Sequence, residues 1–212
     1  MKLTLYNQCR SGPSHRVRIA LAMKGIDYEY VAIDLRAGAQ RSDGFRKINA
    51  QGFVPALDVD GVVLTQSSAI LEWIEESFPA PPLLPADPLA RAHVRSMAAV
   101  IGSDVQPLNN LRIQACLRDE LHAGDAHVRQ WVQRWIAEGF DVLEQRIERF
   151  GGTFSFGDQP TLADIYLIPQ VGMADRQGFD RSSYPRIAAV CTNAARHEAF
   201  AAADPARQPD WS

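Results

Sequence analysis

The 212-residue chain is poor in the groups that build the simplest kinds of site. It holds only three cysteines, Cys9, Cys116 and Cys191, far apart and without a Cys-x-x-Cys pair, which argues against a disulfide framework and a structural zinc site. His122 and His127 stand five apart, beyond the i, i+4 spacing that puts two ligands on one helix face. No metal is therefore expected. An excess of either charge is also missing: 22 lysines and arginines face 25 acidic residues, the net charge is −3 and the basic positions are scattered. That pattern offers no field for nucleic acid. No apolar run approaches the roughly 18 residues of a membrane-spanning helix. The start, Met1-Lys2-Leu3-Thr4-Leu5-Tyr6, alternates like a strand instead of forming the apolar centre of a signal peptide. The expected partners include neither nucleic acid nor membrane, and the expected location is the cytoplasm.

What is present is an ordinary globular composition, 46% hydrophobic and 22% charged. The first third mixes strand and helix patterns. Lys2 to Tyr6 and Tyr28 to Leu35 read as strands, Ser14 to Lys24 as a helix stopped by Gly25, and Asp43 to Ile48 as a short helix. Val54 to Val59 and Val62 to Leu64 read as a hairpin joined by Asp60-Gly61, and Ser67 to Phe78 closes the unit as a helix. The order β-α-β-α-β-β-α fits a thioredoxin-like sheet. Five prolines, Pro79, Pro81, Pro82, Pro85 and Pro88, then mark a semi-rigid linker. Beyond it only helices are expected: Leu89 to Leu117 bent at Pro107, Asp125 to Phe150, Thr161 to Gln177, and Pro185 to Arg196 followed by a short helix. The expected domains are an α/β unit over 1–80 and an all-helical unit over 89–212, with 81–88 as linker. Thr161 and Asp164 form a capping box, read as a helix start and nothing more.

Three turns carry the candidate chemistry. Arg10 to Arg18 joins the first strand to the first helix, where ligands gather in open α/β sheets. Ser11 there precedes a helix whose free amides favour an anion, and Pro13 suits the first turn, where a missing N–H costs nothing. Val54-Pro55 opens a strand, and a cis bond there would turn the Val54 backbone outward to pair with an extended peptide. Gln66-Ser67 enters the third helix, whose first turn suits a carboxylate. Each feature alone is equally an ordinary cap or edge-strand proline. Together they describe a groove for a short peptide with a thiol near Ser11 and a carboxylate near Ser67.

The runs Ser11-Gly12-Pro13-Ser14-His15-Arg16-Val17-Arg18, Val54-Pro55, Gln66-Ser67-Ser68-Ala69-Ile70 and Thr161-Leu162-Ala163-Asp164 resemble the zeta class of glutathione transferases. Leu83 to Asp87, Gln106 to Asn110, Ile168 to Val171 and Arg207 to Asp210 extend the resemblance almost end to end. This class contains maleylacetoacetate and maleylpyruvate isomerases. The resemblance implies glutathione as cofactor, a small dicarboxylate as substrate and a homodimer. It implies that Ser11 donates to the glutathione sulfur and favours thiolate over thiol. Gly12, Pro13, Gln40, Val54, Gln66 and Ser67 match positions around glutathione, and Gln106, Asn110 and Arg112 match positions of the second domain that reach across the cleft. Arg10, Arg112 and Arg176, with Asn110, are expected near the substrate carboxylates, because arginine grips a carboxylate through two parallel donors. Catalysis is assigned to Ser11, Arg10 and Arg176.

One departure stands out: the class usually reads Ser-Ser-Cys where this chain has Ser11-Gly12-Pro13, so the second serine and the cysteine are both absent. Some maleylpyruvate isomerases share an Arg-Ser-Gly-x-Ser-His turn, which tilts the expected substrate toward theirs. Cys9, two residues before Ser11, is expected to point away from the site as a small strand-end residue. Two other readings remain open at this point. One is a transferase that leaves glutathione on a small electrophile, and the other is a non-catalytic adaptor with the same fold, which would have no need of Ser11 together with Arg10 and Arg176.

Overall fold

The structure, a computed structural model, describes residues 1–211. The chain forms two compact units, one of residues 1–82 joined by the C-terminal stretch from Arg196, the other Leu83–Ala195. In the first unit β1 (Leu3–Asn7) leads to α1 (Gly12–Met23), β2 (Glu29–Ala32), α2 (Asp43–Ile48), β3 (Ala56–Val59), β4 (Val62–Thr65) and α3 (Ser67–Ser77). The sheet order is β2-β1-β3-β4, with β1 parallel to β2 and antiparallel to β3, and β3 antiparallel to β4. That is the thioredoxin-like arrangement expected. Val59 pairs with Val62 across the Asp60-Gly61 turn, whose residues both take positive φ, 50° and 92°. Such a two-residue turn follows the twist of its strands.

Helix α1 departs from an ordinary amphipathic helix, for every residue from Ser14 to Leu21 is buried, Arg16 and Arg18 included. One side of α1 packs on α3 and another on α10 (Glu198–Ala203), so no face is left to water. This return of the chain differs from the domain limits read from the sequence, which gave all of 89–212 to the helical unit. The cause is tertiary: α10 has an apolar face, Ala199, Phe200 and Ala203, that is buried in the first unit. A buried ion pair closes the other end of α1, where Lys24 Nζ donates to Glu75 Oε2 and to the Pro81 carbonyl, both at 2.6 Å.

The second unit is helical: α4 (Pro88–Ala99), α5 (Gln106–Leu108), α6 (Leu111–Asp119), α7 (Asp125–Phe150), α8 (Leu162–Arg176) and α9 (Pro185–Arg196). The linker region is not loose, since Leu83 and Leu84 are buried and the Leu83 carbonyl accepts from Leu162 N at 2.9 Å. The single bent helix expected over Leu89 to Leu117 is in fact broken. A π-helical stretch, Val100–Val105, precedes Pro107, and the chain leaves the helix at Asn109 because Asn110 caps α6 by accepting from Arg112 N at 3.0 Å. Gly139 of α7 lets that stretch approach: a Cβ there would lie 2.2 Å from Val105 Cγ2.

Thr161 caps α8, and the capping box is complete. Asp164 is fully buried and accepts from Thr161 N at 2.7 Å, Thr161 Oγ1 at 3.1 Å and Ser155 N at 2.8 Å. Burial pushes its carboxyl above the ordinary carboxylate range, with the hydrogen bonds pulling the other way. Asp164→Ala strands two buried amides, each costing about 1–3 kcal/mol. The expected loss is about 2–6 kcal/mol, read as a fall in the denaturation midpoint, and an unchanged midpoint would sink this account.

Candidate active site

The first site feature grows from the end of β1. The strand stops at Asn7, and the loop Gln8 to Ser11 turns tightly, with Ser11 N donating to the Gln8 carbonyl at 3.1 Å. Ser11 is the N-cap of α1, and its hydroxyl accepts from Ser14 N at a long 3.4 Å. In that bond the hydroxyl uses a lone pair, which leaves its O–H to donate to an anion in front of the helix. Gly12 is the first residue of α1 and Pro13 follows in its first turn without an N–H, so the anion-facing amides here are those of Gly12 and Ser14.

The second feature lies at the start of α3. Gln66 is its N-cap, with φ 67° and ψ 117°, a conformation that costs a non-glycine residue energy and points to a functional constraint. Its Nε2 donates to Gln51 Oε1 at 2.7 Å. Ser67 is buried, and its Oγ accepts from Arg16 NH1 at 3.4 Å. A buried guanidinium thus backs a helix N-terminus. Both favour a carboxylate, the first by charge and the second by its free amides.

The remaining positions of the first unit lie on the loops before β3. The Val54–Pro55 bond is cis, and Pro55 is buried just before β3. Gln40 sits in a short 3₁₀ turn, Ala39–Arg41, and its side-chain Oε1 is buried with no hydrogen-bond partner among the described residues. Gly52, at φ 65°, brings the loop before Val54 against this turn, so tightly that a Cβ would lie 2.8 Å from the Gln40 carbonyl. A hydroxyl at one helix start, a carboxylate site at another and an unpartnered amide oxygen beside an extended loop fit a short thiol peptide with charged ends.

Other site residues lie elsewhere. Arg10 has its guanidinium 4.4 Å from the centre of the Trp211 ring. Gln106 begins α5, Asn110 caps α6, Arg112 stands exposed in its first turn, and Arg176 is the exposed last residue of α8. All four belong to the second unit. Arg176 folds back along its helix, near Gly172, while the neighbouring Asp175 is held by Arg181 at 2.6 and 3.2 Å. Cys9 is 1% exposed, its Sγ donates to the Asp210 carbonyl at 3.4 Å, and burial pushes its thiol up. It has the character of an inert packing residue.

Sequence reading missed Arg16 and Gln51. The signal for Arg16 was present, since a guanidinium inside an otherwise apolar helical run has to be paired, but nothing local named Ser67 as its neighbour.

A family model described as the N-terminal domain of glutathione S-transferase matches residues 1–76, and one described as its C-terminal domain matches residues 125–193. The chain is 48% identical to a maleylpyruvate isomerase of a Ralstonia species, over 98% of this chain and 99% of that one. It is 46% identical to a maleylacetoacetate isomerase of Pseudomonas aeruginosa, over 98% of each. Among solved structures, the holo form of maleylpyruvate isomerase, described as a bacterial glutathione transferase of the zeta class, superposes with a TM-score of 0.97 at 47% identity, covering 99% of this chain and 100% of that one. With both halves matched and end-to-end likeness in sequence and fold, the chain belongs to the glutathione transferase family, in its zeta class.

Proposed function

We propose that the chain is a glutathione-dependent cis–trans isomerase of a maleyl-type keto diacid, taking maleylpyruvate to fumarylpyruvate or maleylacetoacetate to fumarylacetoacetate. The carrying observation is the pairing, within one unit, of the Ser11 hydroxyl at the start of α1 with the Arg16-backed start of α3. Glutathione is the cofactor. When bound, it supplies a thiolate nucleophile that adds to the activated double bond and is expelled unchanged after rotation about the resulting single bond.

The chain's own residues have separate tasks in this reading. Ser11 donates to the sulfur, and the Gly12 amide and the α1 dipole add to the same field, with Pro13 holding the turn. Ser67, the α3 amides and Gln66 hold a carboxylate end, while Gln40 and the Val54 backbone hold the peptide between. Gln106, Asn110 and Arg112 are assigned to the same ligands on the strength of the resemblance. Arg10, Arg112 and Arg176, with Asn110, bind the substrate carboxylates, and Arg10 and Arg176 stabilise the negative charge that develops at the keto oxygen. The homodimer implied by the resemblance and the cytoplasmic location expected from the sequence belong to this reading too, and light scattering in solution tests the first.

The decisive experiment follows the ultraviolet absorbance of maleylpyruvate and of maleylacetoacetate with the purified protein, with and without glutathione. Glutathione-dependent conversion with glutathione recovered whole is the expected result. Conversion that consumes glutathione would replace isomerisation by conjugation, and glutathione binding without any conversion would favour an adaptor. In the same assay Arg176→Ala is expected to lower kcat/KM for the diacid about 10- to 100-fold, the worth of a charge-assisted hydrogen bond. Glutathione affinity should stay within about twofold, and equal losses in both would remove Arg176 from the substrate's side of the site.

A further inference from the structure

The C-terminal stretch returns to the loop that carries Arg10 and Ser11 and grips it at two points. Asp210 accepts from Cys9 N at 2.9 Å through Oδ2 and from the Tyr30 hydroxyl through Oδ1, so one carboxylate ties the loop after β1 to a residue of β2. One residue on, the Trp211 ring lies 4.4 Å from the Arg10 guanidinium. The stretch itself is held in place. Gln208 Nε2 donates to the Ala202 and Asp204 carbonyls at 3.0 and 2.9 Å, and Trp211 N donates to the Gln208 carbonyl at 3.1 Å. Upstream, the Ala203 carbonyl accepts from Arg18 Nε at 3.3 Å.

We propose that this C-terminal stretch is a clamp that positions Arg10 for a dicarboxylate substrate, Asp210 fixing the backbone of the loop and Trp211 holding the guanidinium. The physical reason is geometric. An arginine side chain has many rotamers and its fork grips a carboxylate only in a narrow range of orientations, so a ring held against the guanidinium restricts the search. Asp210 acts earlier in the same chain of support, since the Cys9 amide it holds immediately precedes Arg10. Trp211 and Asp210 are positioning residues, since both act through the Arg10 loop. The inference rests on the isomerase reading given above.

The test is a double-mutant cycle in the diacid assay with glutathione saturating. Trp211→Ala is expected to raise KM for the diacid and lower kcat/KM by about 3- to 10-fold, the range of a cation–π contact, with glutathione affinity unchanged. Trp211→Phe should restore most of that loss, because it keeps a ring. In an Arg10→Ala background, Trp211→Ala should have no further effect, since the group it acts through is gone. The same loss in both backgrounds, or glutathione affinity falling in step, would overturn the proposal. The Arg10 Nε–H resonance gives a second readout: a ring-current shift present in the native protein, absent in Trp211→Ala and kept in Trp211→Phe. No shift in the native protein would also overturn it. A native protein that shows the shift but does not isomerise the diacid would sink the isomerase reading and, with it, the role of the clamp in catalysis.

Discussion

Replacing Ser11 by alanine is expected to slow glutathione-dependent isomerisation about 100- to 1,000-fold, the usual result of removing one preorganised donor from a developing or bound anion. The argument starts from the loop. The hydroxyl accepts a 3.4 Å cap bond from Ser14 N, so its proton is available to a sulfur in front of α1. A donor to the thiolate lowers the thiol pKa. In Ser11→Ala that pKa rises back toward the free value, and the acid limb of the rate profile, where the thiol loses its proton, moves to higher pH. The deficit should therefore shrink as pH is raised. Loss of the cap itself costs little, because the bond is long, so the melting temperature should fall by no more than about 1–3 °C. A large drop in rate that is the same at every pH would mean that Ser11 shapes the loop and does not hold the thiolate. The departure from Ser-Ser-Cys sharpens the expectation: Pro13 offers no amide and Gly12 no hydroxyl, so neither of the two residues that follow Ser11 brings a side-chain donor in its place.

Arg18→Ala carries a large expected loss of stability. Arg18 is 1% exposed and its guanidinium donates to Asn7 Oδ1 at 3.0 Å, to the Gln8 and Cys9 carbonyls at 3.3 and 2.8 Å, and to the Ala203 carbonyl at 3.3 Å. Burial pulls its pKa below the ordinary arginine value, yet the group stays charged at any physiological pH. Truncation leaves these acceptors unsatisfied and opens a cavity, together about 4–5 kcal/mol, or about 10–15 °C in melting temperature. Two of the four contacts hold the loop before Ser11, so glutathione affinity should fall as well. Arg18→Lys keeps the charge but cannot reach several acceptors in different directions, and it should recover only part of the loss. A melt of Arg18→Ala within 2–3 °C of the native protein would show that water replaces the guanidinium at small cost.

The sequence determined what depends on neighbours along the chain. The alternation of Lys2 to Tyr6, the Asp60-Gly61 turn, the Thr161–Asp164 capping box and the proline cluster after Phe78 each encode a local conformation. Their order was enough for the thioredoxin-like sheet followed by helices. The candidate site was legible to the same extent: Ser11, Ser67 and Val54 stand at element starts, where backbone donors are free by geometry. The tertiary structure alone decided the rest. Arg16 and Arg18 read as polar positions on a helix until Ser67 and Ala203 come beside them. The break at Asn109 depends on Asn110 capping a new helix and on the close approach of Gly139 to the π-helical stretch. Arg196 onward reads as more helical domain, yet it folds onto α1 and reaches Cys9 and Arg10. The physical reason is common to all three. Periodicity says which face of an element is to be buried, but the partner of a buried charge, or of a returning chain, is set by contacts between residues far apart in sequence.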